Sequence, residues 1–235
     1  AYRRAESDVY KRQLLTIENL PDLNETITVP EDIFEELTAQ DASVAGFNPY
    51  EQPTVRDLLY GVLLPSGADA CETLARAVGG SEEGFVAMMN QKAEELGLTN
   101  THFENCTGLH NDNHYSTCRD SSVLWSECLK SDTFREIVTR EVYTTEATAS
   151  HPEGITLYDT MLHRFTSYEM STTLENGAVI EGGKTGFTDE AGQCLVSFAE
   201  YGGEEYILVT AEAMTDSGSA VDSIADASTV YGRLQ

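Results

Sequence analysis

The tripeptide Lys184-Thr185-Gly186 lies in EGGKTGFTDEAGQCLVSFAE, where small residues crowd a position just ahead of a β-rich run. A lysine, a hydroxyl and a glycine side by side on an edge strand can hold an anionic substrate terminus and let its backbone lie close. The same triplet alone is equally a surface lysine in a glycine turn. Ser66-Gly67-Ala68 stands 118 residues earlier, between two apolar stripes of helical period. By itself Ser66 reads as an N-cap, with Asp69 three residues on as the capping-box partner, a device worth about 1 kcal/mol. His110 and His114 share a loop with no helix to set them on one face, and with His102, His151 and His163 they read as polar residues and not as metal ligands. The cysteines, Cys71, Cys106, Cys118, Cys128 and Cys194, show no C-x-x-C pair, so no metal site is expected. They read as free, partly buried thiols, with a Cys106–Cys118 disulfide as the alternative in an oxidising compartment.

These groups need elements to hold them. Residues 14–19 end a helix before Pro21, and residues 25–29 alternate like a short strand. Thr54 opens a helix striped by Val55, Leu58, Leu59, Val62 and Leu63, which Pro65 ends. Residues 68–78 form a second helix stopped by Gly79-Gly80, and Phe85, Met88, Met89, Ala93 and Leu96 mark a third, from about Ser81 to Gly97. Thr117 and Asp120 open a fourth through Cys128, and Ser131 or Asp132 caps a short one after it. The period then changes. Residues 178–180, 193–199 and 205–211 are β-rich, the last two joined by YGGE, a hairpin signal, and residues 221–231 close the chain as a helix. The class that follows is α+β, helices packed against a mainly antiparallel sheet.

With 235 residues, 40% of them apolar, the chain can bury a core of one domain. Its 14 basic and 40 acidic residues leave a net charge of −26, which argues against nucleic acid as a partner. No run of 18 apolar residues and no export signal are visible. Residues 1–13, AYRRAESDVYKRQ, hold four of the basic residues and lack an apolar period. They could also form a basic arm on a membrane surface, although no amphipathic stripe supports that.

The stretch from Val55 to Asp120, VRDLLYGVLLPSGADACETLARAVGG onward, together with EGGKTGFTDEAGQCLVSFAE, resembles the low-molecular-mass penicillin-binding proteins, the D-alanyl-D-alanine carboxypeptidases. The similarity runs from about Leu14 to about Tyr231. It implies a β-lactamase/transpeptidase-like fold and a serine acyl-transferase with three motifs, S-x-x-K, S-x-N and K-T-G. Ser66 would stand for the serine of S-x-N, relaying a proton to the departing D-alanine. Lys184 and Thr185 would hold the substrate carboxylate, Gly186 would let the substrate lie close, and the N–H of Phe187 would be one oxyanion-hole donor.

The resemblance also implies a partner, a peptidoglycan stem peptide ending in D-Ala-D-Ala. It implies β-lactams as inhibitors, no cofactor, a cell-envelope location, and membrane association only through segments absent from this sequence. Two departures stand out. Ala68 occupies the asparagine position of S-x-N, and no S-x-x-K exists: three residues before Lys11, Lys92, Lys130 and Lys184 stand Asp8, Met89, Glu127 and Glu181. In register with the family the serine and lysine would fall at Glu6 and Val9. Residues 1–13 are accordingly read as foreign or disordered, and residues 14–235 as a carboxypeptidase domain incomplete at its N-terminus. The alternatives are a non-catalytic muropeptide- or penicillin-binding module and a β-lactamase; the latter lacks its E-x-x-L-N loop here.

Overall fold

The computed structural model describes residues 2–3, 7–188, 191–213 and 221–235, with side chains from residue 12 onward. Strand β1 (Tyr2–Arg3) and helix α1 (Ser7–Asn19) lead into α2 (Ile33–Ala39), α3 (Val55–Leu63), α4 (Ala68–Gly79) and α5 (Glu82–Glu95). Then come β2 (Tyr115–Ser116), α6 (Cys118–Cys128), α7 (Asp132–Val138), β3 (Val142–Thr144), β4 (Thr156–Tyr158) and α8 (Leu162–Ser167). Strands β5 (Val179–Thr188), β6 (Gly192–Tyr201) and β7 (Glu204–Ala213) precede the closing helix α9 (Asp222–Tyr231).

Strands β5, β6 and β7 form an antiparallel sheet in chain order, and the pairs β1–β2 and β3–β4 are also antiparallel. The middle strand β6 alternates its side chains between two cores. Val196 and Phe198 face the helical core, where Trp125 of α6 packs edge-on to Phe134 of α7 with ring centroids 5.3 Å apart. Leu195 and Ala199 face a smaller cluster with Ile224, Ala227 and Tyr231 of α9. Helices thus cover both faces of an antiparallel sheet, the α+β class that the sequence predicts.

Several expected caps are in place. Thr54 and Asp57 form a reciprocal capping box on α3, Ser81 accepts from Gly84 N on α5, and Ser131 accepts from Phe134 N on α7. The turn between β6 and β7 holds Gly202 and Gly203 at φ of 63° and 82°, the mirror-image geometry that a tight hairpin requires.

Four expectations are corrected. Residues 25–29 make no strand: apart from a bridge between Thr26 and Thr54 they bond irregularly to residues 50–55, where Pro53 has no N–H to continue a ladder. The N-cap of α4 is Gly67, not Ser66, and Asp69 does not close a capping box. At Thr117 only half the box forms, because the Asp120 carboxylate turns to Asn100 N and Thr101 Oγ1. Helix α1 runs unbroken through the junction expected at Leu14, with Arg12 and Gln13 buried and Gln13 Nε2 donating to the Leu59 carbonyl at 2.7 Å. Glu6 lies outside the described residues, as does the side chain of Val9.

Candidate active site

Ser66 sits in the turn between α3 and α4 with φ of +61°, a left-handed conformation that costs a non-glycine residue about 1–2 kcal/mol. The turn is held from both sides. Gly67 N donates to Gly61 O at 2.9 Å and Ala68 N to Ser43 O at 2.8 Å. Gly67 has no room for a side chain, since a Cβ there would lie 2.6 Å from the Ala45 Cβ and 2.7 Å from the Ala45 nitrogen. The fully buried Asp69 explains why loop 42–47 can press so close. Its Oδ1 accepts from Ala45 N at 2.7 Å, and its Oδ2 accepts from Gly46 N at 2.9 Å and Phe47 N at 3.0 Å. Asp69 is therefore a latch between α4 and a loop more than twenty residues away, which no local pattern could reveal.

The opposite wall is β5. Its register sets Lys184 against Val196, Thr185 against Leu195, Gly186 against Cys194 and Phe187 against Gln193 on β6. Among the described residues the other edge of β5 pairs with no strand of the sheet, apart from a bridge between Val179 and Thr173. Gly183 is required for close approach: a Cβ would meet Val196 O at 2.5 Å and Met161 Sδ at 2.6 Å. Lys184 is 1% exposed, its Nζ donating to Thr160 Oγ1 at 3.2 Å and to the Thr185 carbonyl at 2.8 Å. Thr185 Oγ1 donates to the same Thr160 oxygen at 2.7 Å.

Thr160, which sequence reasoning missed, joins the two walls: its N–H donates to Leu64 O at 3.2 Å, two residues before Ser66. Nothing in the stretch LYDTML marks it. Beside it Asp159 is fully buried, its Oδ1 accepting from Met161 N at 2.8 Å and Leu162 N at 2.6 Å while Oδ2 has no hydrogen-bond partner among the described residues. Burial pushes the Asp159 carboxyl up to about 7, although the N–H of Leu162 and the nearby Lys184 charge pull the other way.

Ser66, Ala68, Lys184, Thr185, Gly186 and Phe187 all border one cleft of about 330 Å³, which Arg164, Thr107, Gly108 and Leu109 also line. The structure so brings together every site residue expected from the sequence. Two cationic side chains, Lys184 and Arg164, line this cleft, and both act on the buried Asp159 carboxyl. Phe187 is 60% exposed and stands opposite Gln193 of β6.

The sequence model of the D-alanyl-D-alanine carboxypeptidase family matches residues 17–215, and the chain belongs to that family. The chain is 36% identical over 168 residues to the D-alanyl-D-alanine carboxypeptidase DacF of Bacillus subtilis, covering 71% of this chain and 40% of that protein. It is 35% identical over 191 residues to the D-alanyl-D-alanine carboxypeptidase of Streptomyces sp. (strain K15), covering 79% of this chain and 63% of that protein. It therefore spans less than two thirds of the length of these relatives. The crystal structure of the Streptomyces K15 DD-transpeptidase superposes with a TM-score of 0.78 at 30% identity, covering 98% of this chain and 88% of that one. The D-alanyl-D-alanine carboxypeptidase of Mycobacterium tuberculosis superposes with a TM-score of 0.76 at 26% identity, covering 96% and 79% of the two chains. The fold is accordingly that of the penicillin-recognising transpeptidases.

Proposed function

We propose that this chain is the substrate-recognising body of a serine-type D-Ala-D-Ala carboxypeptidase acting outside the cytoplasmic membrane on peptidoglycan stem peptides. The observation that carries the reading is that a strained Ser66 and the buried Lys184 and Thr185 line one cleft. In this reading Lys184 and Thr185 hold the terminal carboxylate, and Gly186 leaves room for the peptide backbone. The Phe187 N–H donates to the carbonyl oxygen as it becomes an oxyanion. Ser66 relays a proton to the departing D-alanine. The acyl-serine intermediate needs a serine activated by a lysine one helical turn away, and this sequence has no S-x-x-K. Residues 1–13 stand where that motif would fall and are foreign to the native protein in this reading.

A fluorescent penicillin tests the reading. The unaltered chain takes no covalent label, whereas Glu6→Ser combined with Val9→Lys yields a labelled band that survives denaturation and is lost on adding Lys184→Ala. A stable label on the unaltered chain would overturn the missing-nucleophile assignment. The absent motif together with Ala68 also favours a second reading, a module that binds muropeptide or penicillin without reacting. Reversible binding by the unaltered chain, with no label on the double variant, is its signature.

A further inference from the structure

Beyond the cleft wall a second set of groups converges. Glu72 of α4, Glu82 in the first turn of α5 and Cys106 each offer one ligand atom, and these atoms lie within 4.8 Å of one another. Cys106 Sγ donates to Glu72 Oε1 at 3.1 Å, and Cys106 N donates to Glu82 Oε1 at 3.0 Å. Cys106 is 0% and Glu72 7% exposed, so this is a built pocket and not a surface patch of acids. A second thiol is adjacent: Cys71 Sγ donates to the Cys106 carbonyl at 2.9 Å and accepts from Arg12 Nη1 at 3.1 Å. Arg76 Nε lies 3.9 Å from Glu72 Oε2, and the same guanidinium is held by Asp32 at 2.7 Å. Two carboxylates this close, one of them buried, repel each other unless a cation joins them.

A recess of about 590 Å³ reaches Glu72 and Glu82 from solvent, giving an ion a way in. One sulfur and two carboxylate oxygens suit zinc, whereas magnesium and calcium take oxygen alone. Tetrahedral Zn–S and Zn–O bonds separate neighbouring ligand atoms by about 3.4–3.6 Å, so the set has only to contract slightly.

We propose that Glu72, Glu82 and Cys106 form a binding site for one Zn²⁺ ion, with water from the recess in the fourth position. On binding, the Cys106 thiol loses its proton to solvent and its Sγ bonds to the metal. Cys106 directly precedes Thr107, Gly108 and Leu109 on the cleft wall, so the ion ties that wall to α4 and α5. The site stands independently of the reading given to the cleft.

Cobalt(II) titrated into the reduced, metal-free chain tests it. One equivalent is expected to give a near-ultraviolet thiolate-to-cobalt band with visible d–d absorption, bleached by Zn²⁺. Cys106→Ser removes the thiolate band, Cys118→Ser retains it, and Glu82→Gln, which keeps the acceptor for Cys106 N, weakens Zn²⁺ binding about tenfold or more. Three outcomes overturn the site: no thiolate band in the unaltered chain, a band that survives Cys106→Ser, or unchanged Zn²⁺ affinity in a folded Glu82→Gln protein.

Discussion

The conformation of Ser66 separates stability from function at a single residue. Its φ of +61° is strained for serine but open to glycine. Ser66→Gly relieves about 1–2 kcal/mol of native strain and gives back about 0.5–1 kcal/mol through the freer unfolded chain. Its urea midpoint should therefore equal or exceed that of the unaltered protein, and a loss above about 1 kcal/mol would contradict the strain. Asp159 makes a second prediction at this scale. Its carboxyl titrates near 4 when unfolded and at about 7 when folded, so the folded state holds its proton more tightly. The stabilisation is complete below pH 4, declines as pH rises through 4–7, and is gone above the folded value. Asp159→Asn keeps the acceptor for the Met161 and Leu162 N–H groups and removes the titration. Urea unfolding at pH 5 and pH 8 should show a smaller decline for the variant than for the unaltered chain.

Among elements, β5 depends on a residue that adds no contact of its own. Gly183→Ala sets a methyl group against Val196 O and Met161 Sδ, which should cost about 1–3 kcal/mol and displace the neighbouring Lys184. Thermal melts would show the loss, and, on the proposed function, a D-Ala-D-Ala peptide titration would show weakened binding in the same variant. The helices whose caps and stripes are both local, such as α3 and α5, were legible from the sequence because their signals lie within one turn. So was the β6–β7 hairpin, marked by paired glycines. Helix α2, at seven residues, and the three-residue strands β3 and β4 are too short to show a period. Ser66-x-x-Asp69 looked like a cap since the spacing fits, yet the Asp69 oxygens serve Ala45, Gly46 and Phe47. Lys184 and Thr185 could be picked out by type and order; Thr160, which ties them to the Ser66 turn, carries no signature apart from its place in the fold.

For the whole molecule the charge of −26 is the dominant electrostatic fact. Among the described residues its ion pairs are mostly exposed, Arg135–Glu205 and Arg56–Glu136 among them, and each contributes little. Self-repulsion should then outweigh the pairs, and raising NaCl from about 0.02 M to about 0.5 M should raise the melting temperature, because screening weakens the longer-range repulsion. A melting temperature that falls with salt would show that local pairs prevail. No described helix is long and apolar enough to cross a membrane.

The Asp69 latch has a consequence that can be followed in time. Loops ordinarily exchange their amide protons by small local openings that need little free energy. The amides of Ala45, Gly46 and Phe47 belong to a loop by sequence, yet each is bound to a buried carboxylate on α4. They should exchange with deuterium as slowly as the core of that helix, opening only when the domain opens with it.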